Sequence, residues 1–204
     1  IDDHMGGIEH IPVHHTNEIA QSEAVNNGPL ADYWVHNEWL TVNGGKMSKS
    51  EGTGFSLSEV KEKGFNPLAL RFFFLQAHYR SRQNFTWEAL SASQNGYNNL
   101  LNHISSLGNK EGTINQEFKN SFSGKISDDF NIPKAVAVLF EMLKSDISPA
   151  DKLATALDFD KVFGLDLKSA TLKKDNKEKI PEEIKNLIKE REIARKSKNW
   201  KKSD

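Results

Sequence analysis

The sequence contains no cysteine. That excludes a disulfide framework, and any thiolate ligand to a metal must come from outside these 204 residues. Long hydrophobic runs are missing too. Nothing approaches the roughly 18 apolar residues of a membrane-spanning helix, and no secretory signal pattern opens the sequence. Net charge is nearly absent, at −1, but the balance hides an asymmetry. Residues 168–204 carry thirteen Lys and Arg against seven Asp and Glu, leaving the remainder acidic. Such a tail serves either as a solvated helix face or as a contact to nucleic-acid phosphates. With 37% hydrophobic and 27% charged residues, the expectation is a soluble, cytoplasmic protein of one or two domains with a buried core and no membrane partner.

Local signals divide the chain. Residues 1–55 mix glycines, histidines and short strand-like runs, with a helical stretch over Asn17–Val25. Asn66-Pro67 reads as an N-cap and first-turn pair ahead of the apolar run Leu68–Ala77. A second helix is predicted from Thr86 to Gly108, with Leu90, Tyr97, Leu101 and Ile104 on one side. Residues 109–125, polar and rich in Gly, Ser and Asn, read as a loop. Asn131 then caps a helix carrying Val136, Leu139, Phe140 and Leu143, and a shorter helix covers 149–163. Residues 168–180 read as a lysine-rich linker, and Pro181 opens an amphipathic helix with Ile184, Leu187 and Ile188 on one face. The predicted architecture is an α/β part followed by a helical bundle.

The most informative stretch is Lys46-Met47-Ser48-Lys49-Ser50. It follows the strand-like run Trp39–Val42 and an Asn43-Gly44-Gly45 turn, with further glycines at 52 and 54. Two ammonium groups, hydroxyls and backbone amides on a pliant loop suit a polyphosphate. A solvated basic turn is the alternative for a bare K-x-x-K. His14 and His15 lie four and three residues before Glu18, so either pair can converge on one helix face. Imidazole and carboxylate are both zinc ligands, and a hydrogen-bonded surface pair is the plainer use of the same spacing. Trp34, Trp39 and Trp87 are expected in the core, and His10 is read as structural.

Several stretches together resemble the cysteinyl-tRNA synthetase family of class I aminoacyl-tRNA synthetases. Lys46–Ser50 matches the class signature loop that holds ATP phosphates. His14-His15-Thr16-Asn17-Glu18-Ile19-Ala20-Gln21-Ser22 resembles the family segment H-H-x-N-E-I-A-Q-S, just after Gly6-Gly7-Ile8-Glu9, which is similar to its glycine-rich stretch ending in an acid. His78-Tyr79-Arg80-Ser81 and Asp128-Asp129-Phe130-Asn131 follow in the family's order, and Pro67–Arg71 resembles the D-A-L-R element that opens the helical region. No His-x-Gly-His motif occurs. The chain opens inside a Gly/His-rich segment and ends mid-helix, so it reads as the C-terminal portion of a catalytic domain plus the helical region.

The resemblance implies an α/β Rossmann-like catalytic remnant followed by a mainly α-helical bundle, mostly α overall. Residues 1–55 would be the end of the catalytic domain with the signature loop, 56–167 the stem-contacting and tRNA-binding bundle, and 168–204 the linker and start of an anticodon-binding element. It implies cysteine–tRNA ligation from ATP, with Mg2+, L-cysteine and tRNA(Cys) as reactants and partners. Lys49 and Lys46 would be catalytic. Lys46, Ser48, Lys49, Gly7 and Glu9 would bind ATP, although Glu9 stands where many members have Asp and Glu51 where Leu is common. His14 and Glu18 would be zinc ligands, one zinc per full-length chain, with two cysteines upstream; this segment alone would be inactive and would hold zinc poorly. Arg195, Trp200 and Asp204 match positions that contact anticodon bases, and His78, Tyr79, Arg80 and Arg82 would face tRNA. Two other readings carry the same residues. One is the cysteine ligase of mycothiol synthesis, which shares the adenylate chemistry; the other is a non-catalytic tRNA-binding module, which would have no use for the loop.

Overall fold

The computed structural model describes residues 1–48 and 54–172, together with positions 191 and 195. Lys49, Trp200, Asp204, the linker beyond residue 172 and the helix expected from Pro181 lie outside the described residues. β1 (Asp3–Gly7) runs through a 3-10 turn (Ile8–His10) and a π turn (Ile11–His15) into α1 (Thr16–Asn26). Asn27, at φ 51°, ends that helix in the left-handed region, its N–H bonded to the Glu23 carbonyl. The chain then returns as β2 (Tyr33–Asn37), parallel to β1 from Asp3↔Tyr33 to Gly7↔Asn37. A helical crossover is what lets two parallel strands be neighbours.

A second sheet has the order β4-β3-β5. β3 (Leu40–Val42) and β4 (Gly45–Lys46) form a hairpin whose two central residues, Asn43 and Gly44, take φ 50° and 81°. Such a turn needs left-handed backbone at both positions, which Asn-Gly supplies at least cost. β5 (Gln83–Phe85) lies parallel to the other edge of β3, so this sheet joins residues on both sides of position 55.

The helices follow their capping chemistry. α2 (Leu57–Glu62) begins with a reciprocal capping box between Ser56 and Glu59. α3 (Pro67–Leu75) starts on Asn66, whose Oδ1 accepts from Leu68 N at 2.8 Å, and α4 (Trp87–Ser106) on Thr86. α6 (Ile132–Lys144) starts after Asn131, which occupies the cap position without lending its side chain. α7 (Pro149–Phe163) fills the predicted 149–163. α8 (Leu167–Leu172) buries Leu167 and Ala170, so residues 168–172 belong to the packed bundle and not to a linker. The stretch read as a loop also contains a helix, α5 (Gln116–Ser127), capped by Asn115. Its apolar signal is a narrow stripe, Phe118 and Phe122 four apart among polar residues. Tertiary packing decides the matter, because Phe122 stacks on Phe159 with ring centroids 4.1 Å apart.

Two hydrophobic clusters result. The larger holds Phe72, Tyr97, Leu100, Ile104, Phe122, Leu139, Phe159 and Phe163 at the centre of the helices. The smaller holds Val42, Val60, Phe73, Phe85 and Leu90 under the hairpin, with Met47, Phe55 and Trp87 packed against it. Trp34 and Trp87 are half-buried and Trp39 is 43% exposed; of the three, Trp87 packs against the smaller cluster. The core expectation holds for Trp87; Trp34 packs instead against the His4 and His15 rings, and the Trp39 indole N–H is drawn to a carboxylate at the surface.

Tyr97 donates to the Leu165 carbonyl at 2.7 Å, tying α4 to the segment between α7 and α8. Burial, then the charges of Asp166 and Asp160, push its hydroxyl up to about 12. Removing it in Tyr97→Phe leaves a buried carbonyl unpaired, so a loss of about 1–3 kcal/mol in denaturant titrations is expected. Because the folded pKa is raised, this contribution is full below pH 10 and fades as pH rises toward 12.

Candidate functional site

The site is built at the carboxyl ends of β1 and β2, where open parallel sheets bind ligands. Side chains alternate along a strand, so His4 and Gly6 share one face of β1, and Trp34 and His36 one face of β2. A methyl at Gly6 would lie 2.7 Å from the His10 and His15 rings, and one at Gly7 would collide with the Glu9 carboxylate. Gly6 is therefore needed for the close approach of the two rings, and at Gly7 the exposed Glu9 side chain would have to move aside. Glu9 folds back over Gly7 and accepts a hydrogen bond from Trp39 Nε1 at 2.6 Å. That bond, then a backbone hydrogen bond at Glu9 itself and the charges of His10 and Lys46, hold its carboxyl below the usual range. Glu9 and Lys46, distant in sequence, are thus within electrostatic reach.

Around the start of α1 lies a histidine cluster. His15 is buried and titrates below the usual histidine range, first through burial and then through the neighbouring His36 and His4. Its Nδ1 lies 2.8 Å from His36 Nε2, one imidazole donating to the other. His4, His15 and Glu18 each bring a ligand atom within 4.8 Å of the others. The distances separate their uses. Two atoms on one tetrahedral zinc, each about 2.0–2.1 Å from it, sit about 3.3 Å apart. His14 Nε2 and Glu18 Oε1 are 3.4 Å apart, which suits a shared ion. His4 Nε2 and Glu18 Oε2, at 2.7 Å, are at hydrogen-bond distance. The His4 bond is the first cause holding the Glu18 carboxyl below its usual range, and it aims the other oxygen toward His14. His14 is 62% exposed and can reorient, whereas His15 is committed to His36. His14 and Glu18 could therefore hold a metal, with His4 orienting the carboxylate. His4 and His36 were not singled out by sequence patterns; strand alternation with Gly6 is the signal that points to His4. The His10 ring sits 5.0 Å from that of His14 and 5.2 Å from that of His15, its Nδ1 buried without a hydrogen bond.

The basic loop rises from the hairpin. Asn43 N donates to the Phe85 carbonyl, and Gly44 N to Asn84 Oδ1 at 2.8 Å, so β5 fixes the turn. Gly54 N donates to the Ser48 carbonyl at 3.0 Å, closing the loop at its base. Met47 and Phe55 anchor its flanks in the smaller cluster. Lys46 is exposed and Ser48 half-buried.

The His78–Arg82 cluster, exposed at Arg80 and Arg82, is organised around two carboxylates. Tyr79 OH donates to Asp129 Oδ1 at 2.5 Å, Arg80 bonds both Asp129 oxygens at 2.8 and 3.0 Å, and His78 Nε2 donates to the Asp129 carbonyl. Asp129 and Phe130 both have positive φ, 55° and 49°, a strained corner that these bonds stabilise. Arg82 pairs with Glu38 at 3.2 Å. Arg195 is exposed.

Residues 1–95 match the family model described as tRNA synthetases class I (C) catalytic domain, and residues 121–168 match the DALR domain. The fold is also that of a solved LeuRS from Agrobacterium radiobacter K84, in a ternary complex with tRNA and LeuAMS, at TM-score 0.61 and 16% identity over 83% of this chain and 26% of that one. Fold and matched domains define a class I tRNA synthetase. Within that class, the whole chain aligns with the cysteine–tRNA ligase 1 of Burkholderia lata at 40% identity and with the cysteine–tRNA ligase of Chlamydia felis at 39%. The chain belongs to the cysteinyl-tRNA synthetase family. It spans 43% and 46% of the lengths of these two relatives, under half of each.

Proposed function

We propose that the protein is a cysteine–tRNA ligase, which activates cysteine with ATP and transfers it to the 3′ end of tRNA(Cys). The observation that carries this reading is the His14–Glu18 pair, spaced at 3.4 Å at the start of α1, in a chain that also closes the base of the Lys46-Met47-Ser48 loop. Family membership over the whole chain supports it. The cysteine carboxylate attacks the α-phosphate of ATP, forming the acyl–phosphate bond as pyrophosphate leaves. Lys49 and Lys46 stabilise the charge on the phosphoryl oxygens and leaving group, Ser48 donates to them, and Mg2+ accompanies the nucleotide. Glu9 and the Gly7 backbone receive the nucleoside. The ribose hydroxyl of the terminal adenosine then takes the cysteinyl group from the adenylate, releasing AMP.

His14 and Glu18 would hold zinc, completed by two thiolates that this cysteine-free chain does not supply. Held there, it would supply a soft site that bonds a thiolate better than a hydroxyl, where shape alone separates cysteine from serine poorly. Arg195, Trp200 and Asp204 are assigned to anticodon contacts, and the protein acts in the cytoplasm. Among the described residues no helix is long and apolar enough to cross a membrane.

The test is cysteine-dependent ATP–pyrophosphate exchange by the full protein, followed by charging of tRNA(Cys). Exchange without charging, and with an amino sugar as acceptor, would point to the mycothiol-type ligase instead; no exchange at all would leave only tRNA binding. Trp200→Ala is expected to weaken charging through tRNA affinity, by the stacking worth about 1–3 kcal/mol per base, while exchange stays near normal. Equal loss of both activities would assign Trp200 to folding and end its anticodon role.

A further inference from the structure

We infer that Trp39 is a positioning residue for the nucleotide: its indole N–H presets the Glu9 carboxylate to receive the ribose hydroxyls of ATP. This rests on the proposed placement of Glu9 in the nucleotide site. Trp39 lies just past the carboxyl end of β2, and Glu9 just past that of β1, so the bond between them, at 2.6 Å, spans the edge where the ligand sits. Glu9 is an exposed side chain on a short turn, and three side-chain torsions must be fixed before it can serve a ligand. An indole N–H only donates, so it is satisfied by the ionised carboxylate and holds it in one rotamer. The indole engages Oε2, and an ionised carboxylate has about four acceptor sites, so the group can still accept from a hydroxyl.

Trp39 is itself held. Its backbone N–H donates to Glu38 Oε2 at 3.2 Å, the same oxygen that pairs with Arg82 Nε, and the Arg82 guanidinium lies 6.0 Å from the indole centroid. The ring is 43% exposed, so burial in a hydrophobic core is not what holds the tryptophan here. Arg82, Glu38, Trp39 and Glu9 form one chain of contacts from the turn before β5 to the end of β1.

Calorimetric titration of the full protein with MgATP, alongside ATP–pyrophosphate exchange, tests this. Trp39→Phe keeps the ring and deletes the donor. It is expected to weaken MgATP binding about tenfold, the scale of one charge-assisted hydrogen bond, and to raise the KM for ATP alike while kcat and the KM for cysteine stay within about twofold. Glu9→Ala is expected to weaken MgATP binding at least as much. In that background Trp39→Phe should add less than about twofold, because the indole acts through Glu9. MgATP affinity unchanged in Trp39→Phe, effects of the two substitutions that multiply, or a parallel fall in kcat and cysteine affinity would each overturn the inference. Absence of cysteine-dependent exchange in the unmodified protein would overturn the cysteine reading, and the MgATP titrations would still decide this one.

Discussion

Lys49→Ala in the full protein is expected to slow cysteine-dependent ATP–pyrophosphate exchange by about 100-fold or more, the scale of losing one preorganised transition-state stabiliser. When the carboxylate attacks the α-phosphate, charge grows on the phosphoryl oxygens and on the departing pyrophosphate. A cation already in place there stabilises the transition state more than the ground state, and only that difference changes kcat. The preorganisation has a structural basis at the loop's ends: the Gly54–Ser48 hydrogen bond closes the base, and Met47 and Phe55 fasten both flanks to the core. Cysteine affinity should change little, since the loop is assigned to phosphates. Survival of exchange within a factor of two would remove Lys49 from the reaction.

The second large effect is expected at the metal. The full protein should hold about one zinc per chain, and Glu18→Ala or His14→Ala should lose most of it, together with the preference for cysteine over serine. Metal analysis measures the first and exchange with each amino acid the second. His4→Ala, which removes only the partner that aims Glu18, should weaken zinc retention by a smaller factor, about 10–100-fold in affinity. An active protein without zinc would end this explanation of specificity. Retention in His4→Ala below that in His14→Ala would exchange the roles of the two histidines.

Much of this arrangement is legible in the residues, because it depends on local chemistry. Asn66-Pro67 and Thr86 announce their helices, since capping is decided within four residues, and Asn43-Gly44 announces a turn that only left-handed backbone can make. The His14–Glu18 pair is legible for the same reason, as four residues is one helical turn. What is not legible depends on partners far along the chain. α5 is hidden because its two phenylalanines look like isolated apolar residues until α7 supplies Phe159. Trp39 looks like core by residue type, and Glu9, thirty residues away, brings it to the surface. The Arg80–Asp129 pair is likewise hidden, because its partners lie forty-nine residues apart.

α3 and α4 are shared property of the two clusters. Phe72 and Phe73 are adjacent, yet the first packs into the helical bundle and the second under the hairpin; along α4, Leu90 serves the hairpin side while Tyr97, Leu100 and Ile104 serve the bundle. Close-packed interiors transmit displacement instead of absorbing it. The helix pair is therefore a lever with no joint in it. A partner that tilts the helical bundle tilts β5 and the strand beside it, and the base of the phosphate loop moves with them.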